Sequence, residues 1–118
     1  MLIVGENPLS IEDVVAVARK EKQVALPTSA EWTALIQRGA DFLDQLLQDE
    51  GVIYGVTTGY GDSCLVEIPA HQVHELPLHL SRFHGCGMGQ NLDLITARAV
   101  EVVRICSLAR GYSGVSHA

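Results

Sequence analysis

The chain has 118 residues, 47% of them hydrophobic, with a net charge of −6 and a pI near 5.2. That length allows at most one domain, and the acidity excludes non-specific nucleic-acid binding, which needs clustered Lys and Arg. A mean hydropathy of +0.20 is high for so short a chain, because small domains have proportionally more surface to cover; the protein is expected to bury surface against copies of itself or within something larger.

The first residues, MLIVGENPLS, carry no basic region and only a very short apolar run, which argues against a signal peptide. Ser10 is placed to cap a helix with Asp13 three residues on. Ile11, Val14, Val15 and Ala18 then recur at helical spacing, and Arg19, Lys20 and Lys22 suit a helix C-terminus. Pro27 stops any continuation. Thr28 to Glu31 repeats the capping signature. Behind it, Trp32, Leu35, Ile36, Gly39, Leu43, Leu46 and Leu47 form one stripe, predicting a helix over 29–49.

Residues 51–64 read as loop or short extended structure, holding two of the three tyrosines in "YGVTTGYG" (54–61). A helix with a break near Pro77 is expected over 70–81. The glycine-rich stretch "FHGCGMG" (83–89) follows, and then a long helix over 91–110. Leu92, Ile95, Ala99, Val102, Val103, Cys106 and Ala109 cover one side of it, while Val100, Ile105 and Leu108 spread the apolar surface further. A helix apolar over most of its circumference is normally buried in a larger protein or an oligomer. Asp93, Arg98, Glu101 and Arg104 exclude a transmembrane span there.

Several constellations compete as sites. Cys64, Cys86 and Cys106 are an odd number without CxxC spacing, which predicts free thiols in a reducing, cytoplasmic setting. His71, His74, His79, His84 and Cys86 match no strong ligand spacing, so no metal is expected. The glycines at 85, 87 and 89 lack the GxGxxG spacing and βαβ context of a phosphate cradle, and close backbone packing explains them better. Ser113 and His117 lack the strand–turn–helix setting of a nucleophile elbow. Tyr54 and Tyr60, read from the residues alone, are packing aromatics with a hydroxyl partner.

Four ordered stretches change that reading. "VIYGVTTGYGD" closely resembles the tyrosine-bearing loop of the aromatic amino acid ammonia-lyase family, which includes histidine, phenylalanine and tyrosine ammonia-lyases and related aminomutases. "LSIEDVVAVAR" (9–19) is similar to its N-terminal signature, "FHGCGMG" to its SHxxGxG segment, and "ARAVEVVRICSLARGYSGV" (97–115) to its helix ending in an LRxNxLxxGxSGV-like pattern. The resemblance implies a mainly α fold, the N-terminal helical region of the aromatic amino acid lyase fold, with a glycine-rich tyrosine loop, and a homotetrameric assembly. It implies an electrophilic methylidene-imidazolone (MIO) cofactor, formed from an internal Ala-Ser-Gly, and loss of ammonia from an aromatic amino acid to give an arylacrylate. Residue by residue, it implies Tyr54 as the catalytic base that removes the β-proton, and substrate contacts from Gly61, His84 and Tyr60, with His84 lining the aryl pocket.

The chemistry sets conditions on that base. An ordinary phenol is only about one-thousandth ionised at neutral pH, so a tyrosine base needs a cation or converging hydrogen-bond donors. Gly55, Gly59 and Gly61 could bring backbone donors close or let the loop move as a lid, and the Thr57 and Thr58 hydroxyls could tie it down. No alanine in the chain is followed by serine, so MIO cannot form within it; an N-terminal portion of a longer enzyme, inactive alone, is the expectation. Phe83 stands where histidine lyases carry serine and Tyr60 where they carry phenylalanine. Cys106 and Ser107 replace an Asn-bearing pattern. These departures tilt the expected substrate toward tyrosine or phenylalanine over histidine. A non-catalytic helical module for oligomerisation or partner binding, and a related aminomutase, stand as alternatives.

Overall fold

A computed structural model describes every residue except Glu6, Glu50 and Ala118. The chain is mainly α-helical, as expected, and divides into two compact units, one of Met1–Leu43 with Asn91–Ala118 and one of Asp44–Gln90.

The first unit opens with a two-residue strand β1 (Leu2–Ile3), followed by helix α1 (Ile11–Ala18) and strand β2 (Val24–Ala25). The strands pair in parallel, Leu2 opposite Val24 and Ile3 opposite Ala25. Hydrogen bonds from the Leu2 N–H to the Gln23 carbonyl (2.7 Å) and the Val4 N–H to the Ala25 carbonyl (3.0 Å) extend the ladder. The sequence does not foretell this pair, because two residues are too few to show alternation.

Helix α1 starts where the capping pattern puts it. Ser10 Oγ accepts the Asp13 N–H at 3.1 Å, and the Asp13 carboxylate reaches back to Ser10. The basic residues behave otherwise than expected. The helix stops at Ala18, Lys20 takes a left-handed φ of 63°, and Lys22 folds back to pair with Asp13 at 2.6 Å. The cation at the helix C-terminus comes instead from Arg98, whose Nη1 donates to the Ala18 carbonyl at 3.0 Å.

Helix α2 runs Ala30–Gln48 and is capped by Ser29, one residue later than the expected Thr28, with Ser29 Oγ accepting the Trp32 N–H at 3.2 Å. Its first part belongs to the first unit. Helix α4, Leu94–Leu108, is capped by Asp93, which accepts the Ile95 and Thr96 N–H groups. It packs on α1, and the small core comprises Val4, Ala18, Ile36, Ala40, Val102 and Ala109. Trp32 Nε1 donates to the Ala109 carbonyl at 2.9 Å. Gly39 explains its place in the α2 stripe: a Cβ there would collide with the Gly111 carbonyl oxygen. Only Val102 of α4 is buried, leaving Leu94, Ile95, Val100, Val103 and Ile105 exposed.

In the second unit, α2 ends, turns follow, and helix α3 spans Leu76–His84. The helix expected over 70–81 with a break near Pro77 is corrected. Ala70–Gln72 is a single 3₁₀ turn, and Pro77 sits in the first turn of α3. A proline is tolerated there because its missing N–H would have had no intrahelical partner. Among the described residues, no helix is long and apolar enough to cross a membrane.

Candidate active site

The tyrosine loop is built by two threonines. Thr57 Oγ1 accepts the Ile53 N–H at 2.8 Å and donates to the Gly51 carbonyl at 3.1 Å. Thr58, only 3% exposed, does the same one step on: its Oγ1 accepts the Gly55 N–H at 3.1 Å and donates to the Gly59 carbonyl at 3.0 Å. An antiparallel bridge between Thr58 and Glu67 closes the base of the loop, with the Gly59 N–H on the Val66 carbonyl and the Ile68 N–H on the Thr57 carbonyl. Both hydroxyls thus tie the loop down, as the sequence suggested.

Within that frame the phenol of Tyr54 reaches across seven residues. Its Oη accepts the Gly61 N–H at 2.9 Å. Gly55 and Gly61 both adopt left-handed backbone, φ +72° and +57°, conformations that cost other residues roughly 1–2 kcal/mol. Tyr60 stands edge-on to Tyr54, ring centroids 6.4 Å apart and planes at 90°. Tyr54 is 64% exposed, so it is no core aromatic. A backbone N–H aimed at a phenol oxygen is a contact that strengthens as negative charge gathers there, and Gly61 supplies that donor. Three of the four expected site residues, Tyr54, Tyr60 and Gly61, therefore meet.

His84 lies elsewhere in the same unit. It is the last residue of α3, its Nδ1 facing the Leu80 carbonyl at 3.2 Å and its ring tilted against Phe83 at 4.6 Å. Among the described residues, no hydrogen bond or ring contact joins His84 to the tyrosine loop. Gly85 caps α3, and Gly87 and Gly89 have nothing within 4 Å of a built Cβ, so the expected close backbone packing is absent at those two glycines. A hollow of about 510 Å³ in this unit is lined by Leu47, Val52, Thr57, Ile68, Val73 and His74 among others, and by none of the four expected site residues. His79 Nε2 lies 3.5 Å from the carboxylate of Glu75, the residue before α3. In the first unit, His117 packs edge-on against Trp32 at 5.6 Å.

Sequence reasoning did not foresee the Tyr54–Gly61 hydrogen bond or the burial of Thr58. The signal available for both was a pair of hydroxyl residues enclosed by glycines in a segment too short for regular structure.

Comparison with known proteins completes the description. The family model described as aromatic amino acid lyase matches residues 9–118. The histidine ammonia-lyase of Clostridium tetani is 37% identical over 114 residues, covering 97% of this chain and 22% of that protein. Among solved structures, tyrosine aminomutase from Streptomyces globisporus superposes with a TM-score of 0.84 at 32% identity, over 97% of this chain and 21% of that one. Pantoea agglomerans phenylalanine aminomutase does so with a TM-score of 0.83 at 31% identity, over 98% and 22%. The chain thus spans about a fifth of the length of these relatives.

Proposed function

The chain belongs to the aromatic amino acid lyase family, and from that premise we propose that it forms the N-terminal portion of an enzyme that eliminates ammonia from tyrosine, phenylalanine or histidine. In this reading Tyr54 is the base that takes the β-proton, and the observation that carries it is the Gly61 N–H on the Tyr54 oxygen at 2.9 Å. A tyrosine base needs its deprotonated oxygen stabilised before the proton arrives, and must be reachable by substrate. The 64% exposure of Tyr54 meets the second need, and the Gly61 donor serves the first.

Such an elimination also needs an electrophile to activate the amine. In this family's chemistry MIO supplies it, but no alanine of this chain is followed by serine, so these residues do not fit its formation. What this chain contributes is the base, its donor and, from α3, the His84 imidazole as a wall for the aryl group. On its own it is expected to be inactive. The aminomutase alternative draws support from the likeness to two aminomutase structures; it shares the proton abstraction and differs in what becomes of the ammonia.

The test is an assay of the complete enzyme containing this sequence with tyrosine, phenylalanine and histidine, following arylacrylate absorbance, alongside the same protein carrying Tyr54→Phe. The reading expects turnover on at least one of the three, lost in the variant while assembly is retained. Near-normal turnover by Tyr54→Phe would remove Tyr54 from the base role. Turnover by the isolated 118-residue chain would refute its being an incomplete site.

A further inference from the structure

The geometry points to Tyr60 as a positioning residue for Tyr54, acting through its ring and the space left by the missing side chain of Gly55, rather than as a substrate contact. This rests on Tyr54 being the base. A Cβ built on Gly55 would lie 2.8 Å from Tyr60 Cε1 and 3.1 Å from Cδ1. The Tyr60 ring therefore occupies the volume that any side chain at 55 would take, directly beside the backbone that carries Tyr54. The same ring meets Tyr54 edge-on, at 6.4 Å and 90°, the arrangement in which the positive edge of one ring faces the negative face of another.

Tyr60 is also the residue immediately before the Gly61 N–H that the Tyr54 oxygen accepts. Both ends of that hydrogen bond thus adjoin one residue. The ring fixes the Tyr54 ring laterally, and its own backbone sets where the Gly61 donor points. Thr58 fixes the loop from the other side, through the Gly55 N–H and the Gly59 carbonyl. The contacts are made by ring carbons, so a phenyl ring can make them equally well.

Two measurements separate this from a packing role and from a substrate contact. In the 118-residue chain, the Gly61 amide proton is followed by ¹⁵N-resolved NMR, with Tyr54→Phe marking the shift of an amide that has lost its acceptor. Tyr60→Ala is expected to move the Gly61 amide most of the way to the Tyr54→Phe position, and Tyr60→Phe to bring it back. A Gly61 amide unmoved by Tyr60→Ala in a folded chain would overturn the proposal. In the complete enzyme, Tyr60→Ala is expected to lower kcat about 10- to 100-fold with KM little changed, because a misplaced base slows the chemical step, and Tyr60→Phe to recover most of the loss. A raised KM with kcat retained would make Tyr60 a substrate contact instead and overturn the proposal. If Tyr54→Phe keeps its turnover, the base reading fails. The amide measurement then still decides whether Tyr60 orients Tyr54.

Discussion

The two units of this chain are held together by different physics. Among the described residues the buried hydrophobic side chains, Val4, Ala18, Ile36, Ala40, Val102 and Ala109, all belong to the unit formed by Met1–Leu43 and Asn91–Ala118. That unit is braced by long-range bonds from Trp32 and Arg98 to the carbonyl ends of helices. Among the described residues, the side chain that the unit of Asp44–Gln90 buries is Thr58. Its loop is shaped by hydroxyl-to-backbone hydrogen bonds, an isolated bridge and glycines with positive φ. Apolar burial is non-directional and tolerates small shifts, whereas hydrogen bonds fix angles. The unit that must aim a phenol uses the directional kind.

The largest expected effect tests what that aim is for. Tyr54→Phe in the complete enzyme should lower kcat by about 10²- to 10⁴-fold, the usual worth of a positioned general base, with its oligomeric state unchanged by light scattering. Next come two glycines that contrast the units. Gly39→Ala drives a Cβ into the Gly111 carbonyl oxygen. Backbone on both sides leaves no flexible group to yield, so chemical denaturation should show a loss of about 1–3 kcal/mol. Gly87→Ala, with open space around it, should stay within about 0.5 kcal/mol of the parent.

Thr58→Val keeps the shape of the side chain and removes the hydroxyl, leaving the Gly55 N–H and the Gly59 carbonyl without that partner. A cost of about 1–3 kcal/mol is expected, read by amide exchange as faster opening of residues 51–61 with α1 and α4 unaffected. Equal loss of protection in both units would break the contrast between them.

The smallest effect is electrostatic and belongs to the first unit. Asp13 is held below the usual aspartate range by its hydrogen bond from Lys22 and then by Ser10, and Asp93 by the Thr96 backbone and hydroxyl and the Ile95 N–H. Both are carboxylates whose folded pKa is depressed, so the stability they add is present above their unfolded values. It is lost as pH falls through the acid range toward the lowered folded values. The urea midpoint should therefore drop below the ordinary aspartate range, and Asp93→Asn should flatten part of that dependence.

How much of this could be read beforehand follows the same division. The Ser10 cap, the α2 stripe and the apolar circumference of α4 were legible because capping and helical periodicity are local in sequence. The cation at the end of α1 was not. Arg19, Lys20 and Lys22 are the near candidates by sequence, and Arg98, eighty residues from Ala18, makes the bond. The break expected at Pro77 follows from the rule for helix interiors, whereas Pro77 lies in a first turn, where its missing N–H costs nothing. In the loop, resemblance pointed to Tyr54, Gly61, Tyr60 and His84, and the residues themselves suggested the threonine ties. The Tyr54–Gly61 bond depends on two glycines both taking positive φ, which glycine permits without requiring. His84 was placed in a glycine-rich segment and instead ends a helix.

The role of Tyr54 turns on whether its oxygen is held by the loop itself. Hydrogen exchange at the Gly61 amide measures this most directly, since Gly61 is an exposed residue whose N–H has Tyr54 as its partner. Slower exchange is expected at Gly61 than at Gly87, which is also exposed, with the difference abolished by Tyr54→Phe. Exchange at Gly61 as fast as at Gly87, and indifferent to Tyr54→Phe, would contradict it.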